Sequence, residues 1–546
     1  MAQKNAFSVS GNIVDVTNLR VFKGTVHITD GKIKSIEAGP VPEEHYILPG
    51  LIDAHVHIES SMLLPSEFAR LAVVHGTVAT VSDPHEIANV LGIEGVNFMI
   101  ANGKKSPFKF FFGAPSCVPA TPFETSGASL DVADTEALLA QTDIWYLSEM
   151  MNFPGVIARD PLVMAKLAAA HKAGKPVDGH APGVTGENAR LYAQAGISTD
   201  HECFTIEEAR DKIKWGMKVL IREGSAAKNF DALLPLMDGY AADIMFCSDD
   251  KHPDDLVKGH INLLVKRAIA KGYDPLQIIR ACTLNPVKHY NIPAGLLRPG
   301  DDADFIMTDN LTDFNIKATY IRGLKVAENG RTLIDGVAET SPNRFLARPV
   351  TETDLRVEAC AGNIKVQKAL EGQLITEAVY LKPLLEDGCV QSDTGRDILK
   401  MMVMNRYAPS APAVDFVNGF GLKRGAIAST VAHDSHNIIA VGTCDKDMLT
   451  AVNMLVTAKG GIAFVDGDKT SLLPLPVAGL MSGSDGYEVA HAYEKINELA
   501  KSLGSTLAAP YMTLSFMALL VIPALKLSDK GIFDGNTFQF TTLFDN

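Results

Sequence analysis

The stretch LPGLIDAHVHIES, residues 48–60, sets two histidines one residue apart at the end of an apolar run. In an extended strand, side chains at i and i+2 leave the same face. His55 and His57 therefore converge on one point, with Asp53 on the same side behind them. Two imidazoles meeting at a strand end form half of a metal site. Further ionisable residues follow other apolar segments: His85 in SDPHEI, Glu149 in LSEMMN, His180 in DGHAPG, His201 in TDHECF and Asp249 in CSDD. His55, His57, His180, His201, Glu149 and Asp249 together exceed the needs of one tetrahedral zinc. They suit two divalent ions sharing a bridging carboxylate. Iron, manganese and zinc all accept such a mixture of imidazole and carboxylate. A single histidine at a strand end is more often a hydrogen-bonded core residue. The ordered set, at intervals that fit β/α units, makes a metal centre the stronger reading.

Other chemistries fail on their spacing. HVHIE contains one fragment of a nucleobase-deaminase zinc signature, but no P-C-x-x-C follows it. HDSH at 433–436 lacks the H-E-x-x-H arrangement of metalloproteases. There is no G-x-S-x-G, no Walker A and no convincing dinucleotide fingerprint.

The elements that must position these residues can be read from the apolar rhythm. GLIDAHVHI, GTVATVSD, FKFFFGAPS, IWYLSEMMN, KPVDGHA, ISTDHEC, MKVLIREGS and DIMFCSDD are eight strand-like runs. Helical patterns such as DPLVMAKLAAAHKAG and TGENARLYAQAG separate most of them. This is the strand count of an α/β fold, a (β/α)8 barrel over residues 50–294, whose chemistry sits at the strand C-terminal ends. Residues 1–49 and 295–340 carry short alternating strands and Asp-Gly turns. We expect them to meet in one small β-sandwich module, because a chain entering and leaving a barrel brings both flanks together. After a linker at 339–355, residues 350–546 mix strands and helices as an additional α+β domain.

Bulk properties narrow the partners. The chain has 546 residues, 47% hydrophobic and 21% charged, enough for several cores. A net charge of −14 argues against nucleic acid or an anionic membrane as partner. Seven scattered cysteines without a C-x-x-C read as reduced thiols of a cytoplasmic protein. The N-terminal stretch has no apolar secretion signal, and YMTLSFMALLVIPAL (511–525) is too short and too interrupted for a membrane span.

The chain resembles the amidohydrolase superfamily in its H-x-H, its two later strand-end histidines and its final aspartate. PGLIDAHVHIESSM, SDPHEIANVLG, LSEMMNFPGV, SDDKHPDDL, AHDSHNIIAVG and LSFMALLVIPALKLSDKGIFD extend the likeness to the bacterial adenine deaminase family over nearly the whole chain. The resemblance implies hydrolysis of adenine to hypoxanthine and ammonia, a step of purine salvage, with adenine and water as substrates. It implies a homo-oligomer, expected as a dimer. It also implies two divalent ions, leaning to Fe(II) or Mn(II) with Zn(II) accepted. His55, His57 and Asp249 would hold one ion, His180 and His201 the other, and Glu149 would bridge them. Glu149 stands where many relatives use a carbamylated lysine. This disfavours the main alternative, another hydrolase of the superfamily acting on a cyclic amide or a different heterocycle. A non-catalytic, metal-stabilised scaffold is disfavoured by the complete set of ligand types.

Water attack at C6 needs a nucleophile that bulk water does not supply at neutral pH, and a bound divalent metal lowers the pKa of water to about 7. Asp249 is expected to move the proton, with Asp250 in support, and His85 to assist near the centre. Glu59 would orient a ligand or meet substrate. The resemblance further implies that the C-terminal domain reaches over the barrel mouth with His433, Asp434 and His436.

Overall fold

All eight apolar runs form short parallel strands in the computed structural model, which describes residues 6–225 and 227–545. They are β1 (Leu51–Val56), β2 (Thr77–Ser82), β3 (Lys109–Ala114), β4 (Ile144–Met150), β5 (Val177–Gly179), β6 (Thr199–Asp200), β7 (Lys218–Arg222) and β8 (Ile244–Cys247). Strands β1 to β5 pair in chain order in one parallel sheet, and β6 to β8 in another. Main-chain bonds join the two into a cylinder. Between β5 and β6, Ser198 N donates to Val177 O at 2.9 Å. Between β8 and β1, Asp249 N donates to His55 O at 2.9 Å and His57 N donates to Asp249 O at 3.2 Å. Strands β1 and β2 are buried along their whole length, as parallel strands covered on both faces must be.

The return helices start where the sequence supplies caps. Asp160 accepts from Leu162 N and Val163 N at 2.9 and 3.0 Å, Pro161 occupies the first helical position, and the helix Pro161–Lys172 buries Val163, Leu167 and Ala170. The helix Gly186–Gln194 buries Ala189 and Tyr192. Such stripes fasten each helix to the cylinder and leave the strand ends free to carry polar residues.

Both flanks of the barrel join in one continuous eight-stranded sheet. Tyr46–Pro49, entering the barrel, pairs antiparallel with Phe305–Thr308, leaving it, with Leu48 opposite Ile306. The hairpin linking Arg20–Thr29 to Lys32–Ala38 turns on Asp30 and Gly31, whose φ of 51° and 77° fit the type I′ turn that Asp-Gly favours. Val26, Ile28, Ile47, Phe305 and Tyr320 share the core of this sheet, so residues nearly 300 apart in sequence bury one another. Lys109, at the start of β3, ties barrel to sheet through bonds of 2.7 Å to Asp302 and 2.5 Å to Asp304.

The C-terminal region is an α+β layer. Leu399–Met404 and Ile438–Gly442 lie antiparallel at the middle of its sheet, and the helix Asp445–Ala458 covers one face with Met448, Val452 and Leu455. The apolar stretch at 511–525 is largely buried, with Pro523 exposed: it forms all but the first residue of the helix Pro510–Phe516, a run of turns, and the start of the strand Leu525–Ser528. No helix among the described residues is long and apolar enough to cross a membrane.

Asp415, in the strand Ala413–Asn418, is fully buried and accepts one bond of 2.7 Å from Gln367 Nε2. Burial pushes its carboxyl up to about 7. In the unfolded chain the group titrates near 3.9. From about pH 4 to 7 the unfolded chain therefore sheds a proton that the folded one keeps. The stability this group contributes is full at the acid end and lost as pH rises through 7. Asp415→Asn should consequently melt higher than the parent at pH 8 and closer to it at pH 5. A shift of equal size at both pH values in thermal melts would contradict this.

Candidate metal centre

The strand ends of the barrel gather the six residues picked out by spacing. His55 is the penultimate residue of β1 and His57 directly follows the strand, and their Nε2 atoms lie 3.2 Å apart. His57 Nδ1 donates to Asp83 O at 3.2 Å, which leaves the Nε2 lone pair of the neutral ring facing inward. Asp249 Oδ1 stands 3.4 and 3.3 Å from the two Nε2 atoms. The Asp249 backbone is left-handed, φ 56°, and the barrel-closing bonds to His55 and His57 clamp its peptide on both sides. Its Oδ2 accepts from Arg222 Nη1 at 2.5 Å.

Glu149, near the end of β4, lies between the two histidine pairs. Its Oε2 is 3.0 Å from His180 Nδ1 and 3.1 Å from His201 Nε2, and its carboxylate is 3.6 Å from His57 and 3.8 Å from His55. Tyr192 braces this side: its hydroxyl donates to Met150 O at 2.7 Å and accepts from His180 N at 3.0 Å. The His55 and His201 rings stack with centroids 4.2 Å apart.

All six residues are buried. Burial alone raises a carboxyl pKa, but the His180 and His201 charges outweigh it at Glu149 and hold that group well below the usual range. Asp249 is likewise held well below it, with Arg222 and then His55 and His57 overcoming burial. Both acids are thus ready to ligate as anions. Metal–nitrogen and metal–oxygen bonds of about 2.0–2.2 Å set ligand-to-ligand edges of about 3.0–3.5 Å. Donor separations of 3.0 to 3.8 Å, with two imidazole nitrogens turned on each other, fit cation binding better than hydrogen bonding among the side chains. Overlapping sets of three of these residues, such as His55 with His57 and Asp249, or His55 with Glu149 and His201, can each hold an ion.

The remaining expected residues separate by position. His85 begins the helix His85–Leu91 after β2, with Nδ1 3.1 Å from Asp83 and 3.6 Å from Glu149. Asp250 accepts from Ser60 Oγ at 2.5 Å and borders the cavity above the centre. Glu59 turns away, accepting from Ile87 N at 3.2 Å, and burial pushes its carboxyl up to about 7. It props the helix that carries His85. From the C-terminal domain, His433 and Asp434 border the cavity, while His436 stands behind them on Glu86.

Three participants escaped the sequence reading. Glu202, directly after His201, lies 3.5 Å from His201 Nε2 and 3.6 Å from His180 Nδ1. Arg222, the last residue of β7, is 2% exposed and joins Glu202 to Asp249. Glu86, next to His85, reaches the C-terminal domain. An arginine closing a barrel strand and acids adjoining two strand-end histidines were the available signals.

The cavity over the centre is tight, about 30 Å³, close to the volume of a single water. Leu374, Phe516, Leu519 and Val521 of the C-terminal domain close it with apolar surface. Lys526, fully buried, fixes that wall by donating to Leu374 O at 2.7 Å and Phe516 O at 2.9 Å.

Comparison with known proteins adds two family matches. Residues 46–331 match the amidohydrolase family, and residues 373–539 match the adenine deaminase C-terminal domain. The chain is 54% identical over 541 residues to an adenine deaminase of Salinibacter ruber, covering 99% of each. It is 53% identical over 547 residues to one of Methanosarcina mazei, covering 98% of this chain and 99% of the relative. To one of Parabacteroides distasonis it is 49% identical over 544 residues, covering all of both.

Glu149 contacts both histidine pairs, so Glu149→Gln should cost more than a single ligand would. An amide cannot supply the anionic second oxygen. Metal affinity, read as metal retained after gel filtration, should fall by more than the roughly 10–100-fold that loss of an outer partner costs. Elemental analysis at parent stoichiometry would contradict the central placement.

Proposed function

Because the chain belongs to the adenine deaminase family of amidohydrolases, we propose that it hydrolyses adenine to hypoxanthine and ammonia at the strand-end centre of the barrel. The observation that carries this reading is the convergence of His55, His57, His180, His201, Glu149 and Asp249 beneath a small cavity walled by the C-terminal domain. His55, His57 and Asp249 would hold one divalent ion, His180 and His201 a second, with Glu149 between them. Fe(II) or Mn(II) is the favoured occupant, and Zn(II) also suits the donors. Ions bound there supply Lewis acidity and a water that ionises near neutral pH.

The protein's own groups then manage charge and protons. Overall, a C6–O bond forms and the C6–N bond breaks. One proton of water ends on N1 and the other leaves with ammonia. Asp249 Oδ1 accepts from the attacking oxygen the proton that leaves with ammonia and passes it to the departing amine, a service worth about 10²–10⁴-fold. Arg222 fixes the other oxygen of Asp249 and keeps the carboxylate ionised in its resting state. Asp250, held by Ser60, supports from the cavity side. His85, beside Glu149, polarises the ring as charge moves onto it. Leu374, Phe516, Leu519 and Val521 exclude water and suit a flat heteroaromatic base.

The test is chelation followed by reloading with Fe(II), Mn(II) or Zn(II) singly, with metal counting beside assays on adenine and a panel of cyclic amides. Ammonia release from adenine should rise with metal content to two equivalents per chain, with the cyclic amides left intact. Asp249→Asn should lower kcat by at least 10²-fold. A fully loaded protein that opens cyclic amides but leaves adenine unchanged would overturn the reading.

A further inference from the structure

Glu86, His433 and His436 form a second buried cluster, outside the six metal-binding candidates and across the boundary between barrel and C-terminal domain. Glu86 is on the helix His85–Leu91, and its two oxygens meet two different imidazoles. Oε1 pairs with His433 Nδ1 at 2.5 Å, and Oε2 pairs with His436 Nε2. All three residues are at most 3% exposed.

Geometry settles how the protons lie. His436 Nδ1 accepts from Ala432 N at 3.3 Å, so the neutral ring carries its proton on Nε2 and donates it to Glu86. His433 Nδ1 faces the other carboxylate oxygen as the second donor. These contacts are closer than the edges of about 3.0–3.5 Å that two ligands of one ion would show. The donor types of the three residues could also hold an ion, but the contacts in the structure are those of a hydrogen-bonded clamp.

The clamp holds His433 in one pose. Its ring stacks on Phe516 with centroids 4.6 Å apart and planes 14° apart, and its backbone N–H donates to Ser515 O at 3.2 Å. With Nδ1 on Glu86, the remaining nitrogen, Nε2, has no partner among the described residues, while the ring borders the cavity. Glu86 charge outweighs burial and raises His433 to about 9, so both ring nitrogens carry protons at neutral pH.

Resting on the proposed adenine hydrolysis, we propose that His433 is a substrate-contacting residue of the C-terminal domain, donating from Nε2 to one ring nitrogen of the bound base. Glu86 and His436 are its positioning residues. A lone donor of this kind distinguishes one nitrogen of the purine from the others, and it is present only when the two domains are docked. Site assembly and domain docking are thereby joined through one carboxylate.

The experiment uses the metal-loaded full chain, its His433→Asn and Glu86→Gln variants, and 1-deaza-, 3-deaza- and 7-deazaadenine as competitive inhibitors of adenine turnover. Loss of a charge-assisted hydrogen bond should lower kcat/KM for adenine about 10- to 100-fold in His433→Asn. The inhibition constants should weaken similarly for two analogues and hardly at all for the third, which lacks the nitrogen that His433 contacts. Glu86→Gln should give a smaller loss with the same analogue spared, and metal content should equal that of the parent in both variants. A uniform loss across all three analogues, or no loss, would overturn the proposal. So would a missing metal equivalent in either variant, which would make the cluster an ion site. Failure of the unmutated, metal-loaded chain to deaminate adenine would strike the underlying functional reading instead, and the proposal would fall with it.

Discussion

Two main-chain hydrogen bonds, Asp249 N–H to His55 O and His57 N–H to Asp249 O, both close the barrel and align its chemistry. They are the seam at which β8 meets β1. The residues that supply these peptide groups also supply side chains to the centre. The register of closure therefore dictates the separations of 3.2 to 3.4 Å among His55, His57 and Asp249. A slip by one residue would turn alternate side chains to the opposite face and separate the set. The left-handed backbone at Asp249 costs conformational energy, and its two main-chain hydrogen bonds keep it in place.

Around that seam the structure solves an electrostatic problem. Burying carboxylates is unfavourable unless charge or hydrogen bonds compensate. Arg222 serves Asp249 and Glu202 together, while His180 and His201 serve Glu149. Below these residues, Asp53 accepts from Ser248 N at 3.0 Å and contacts His260 Nε2 at 2.8 Å, so the aspartate behind H-x-H supports the strand ends. Each acid in this region meets a partner from another strand or helix. A pattern of that kind holds the β/α units in mutual register as well as tuning their charge.

The C-terminal domain completes what an open barrel mouth leaves exposed. Its apolar side chains roof the cavity, and Lys526 ties two of the contributing segments together through their carbonyls. Docking is secured elsewhere by polar contacts such as Gly486 N to Glu67 at 2.9 Å and Arg70 to Asp485 at 2.7 Å. The roof is consequently a packed wall with its own hydrogen bonds, and its residues come from segments far apart in the chain.

Much of this was legible in the residues alone. Eight apolar runs ending in polar or ionisable groups, with Asp-Pro and Asp-Gly signals between elements, specify strands, helices and turns through local physics. The H-x-H pair converges because alternate residues of a strand share a face, and that holds before any folding partner is considered. The roles of Arg222, Glu202 and Glu86 were not legible, since each depends on a neighbour 20 or more residues away. Glu59 shows the converse: it adjoins the H-x-H, yet the turn at Ile58–Ser61 sends it toward Ile87 and away from the cavity. Sequence by itself determined which chemical groups stand at the strand ends, because backbone periodicity is local. Only the tertiary structure decided which of them face one another, because closure of the cylinder and docking of the second domain are long-range events that no local pattern encodes.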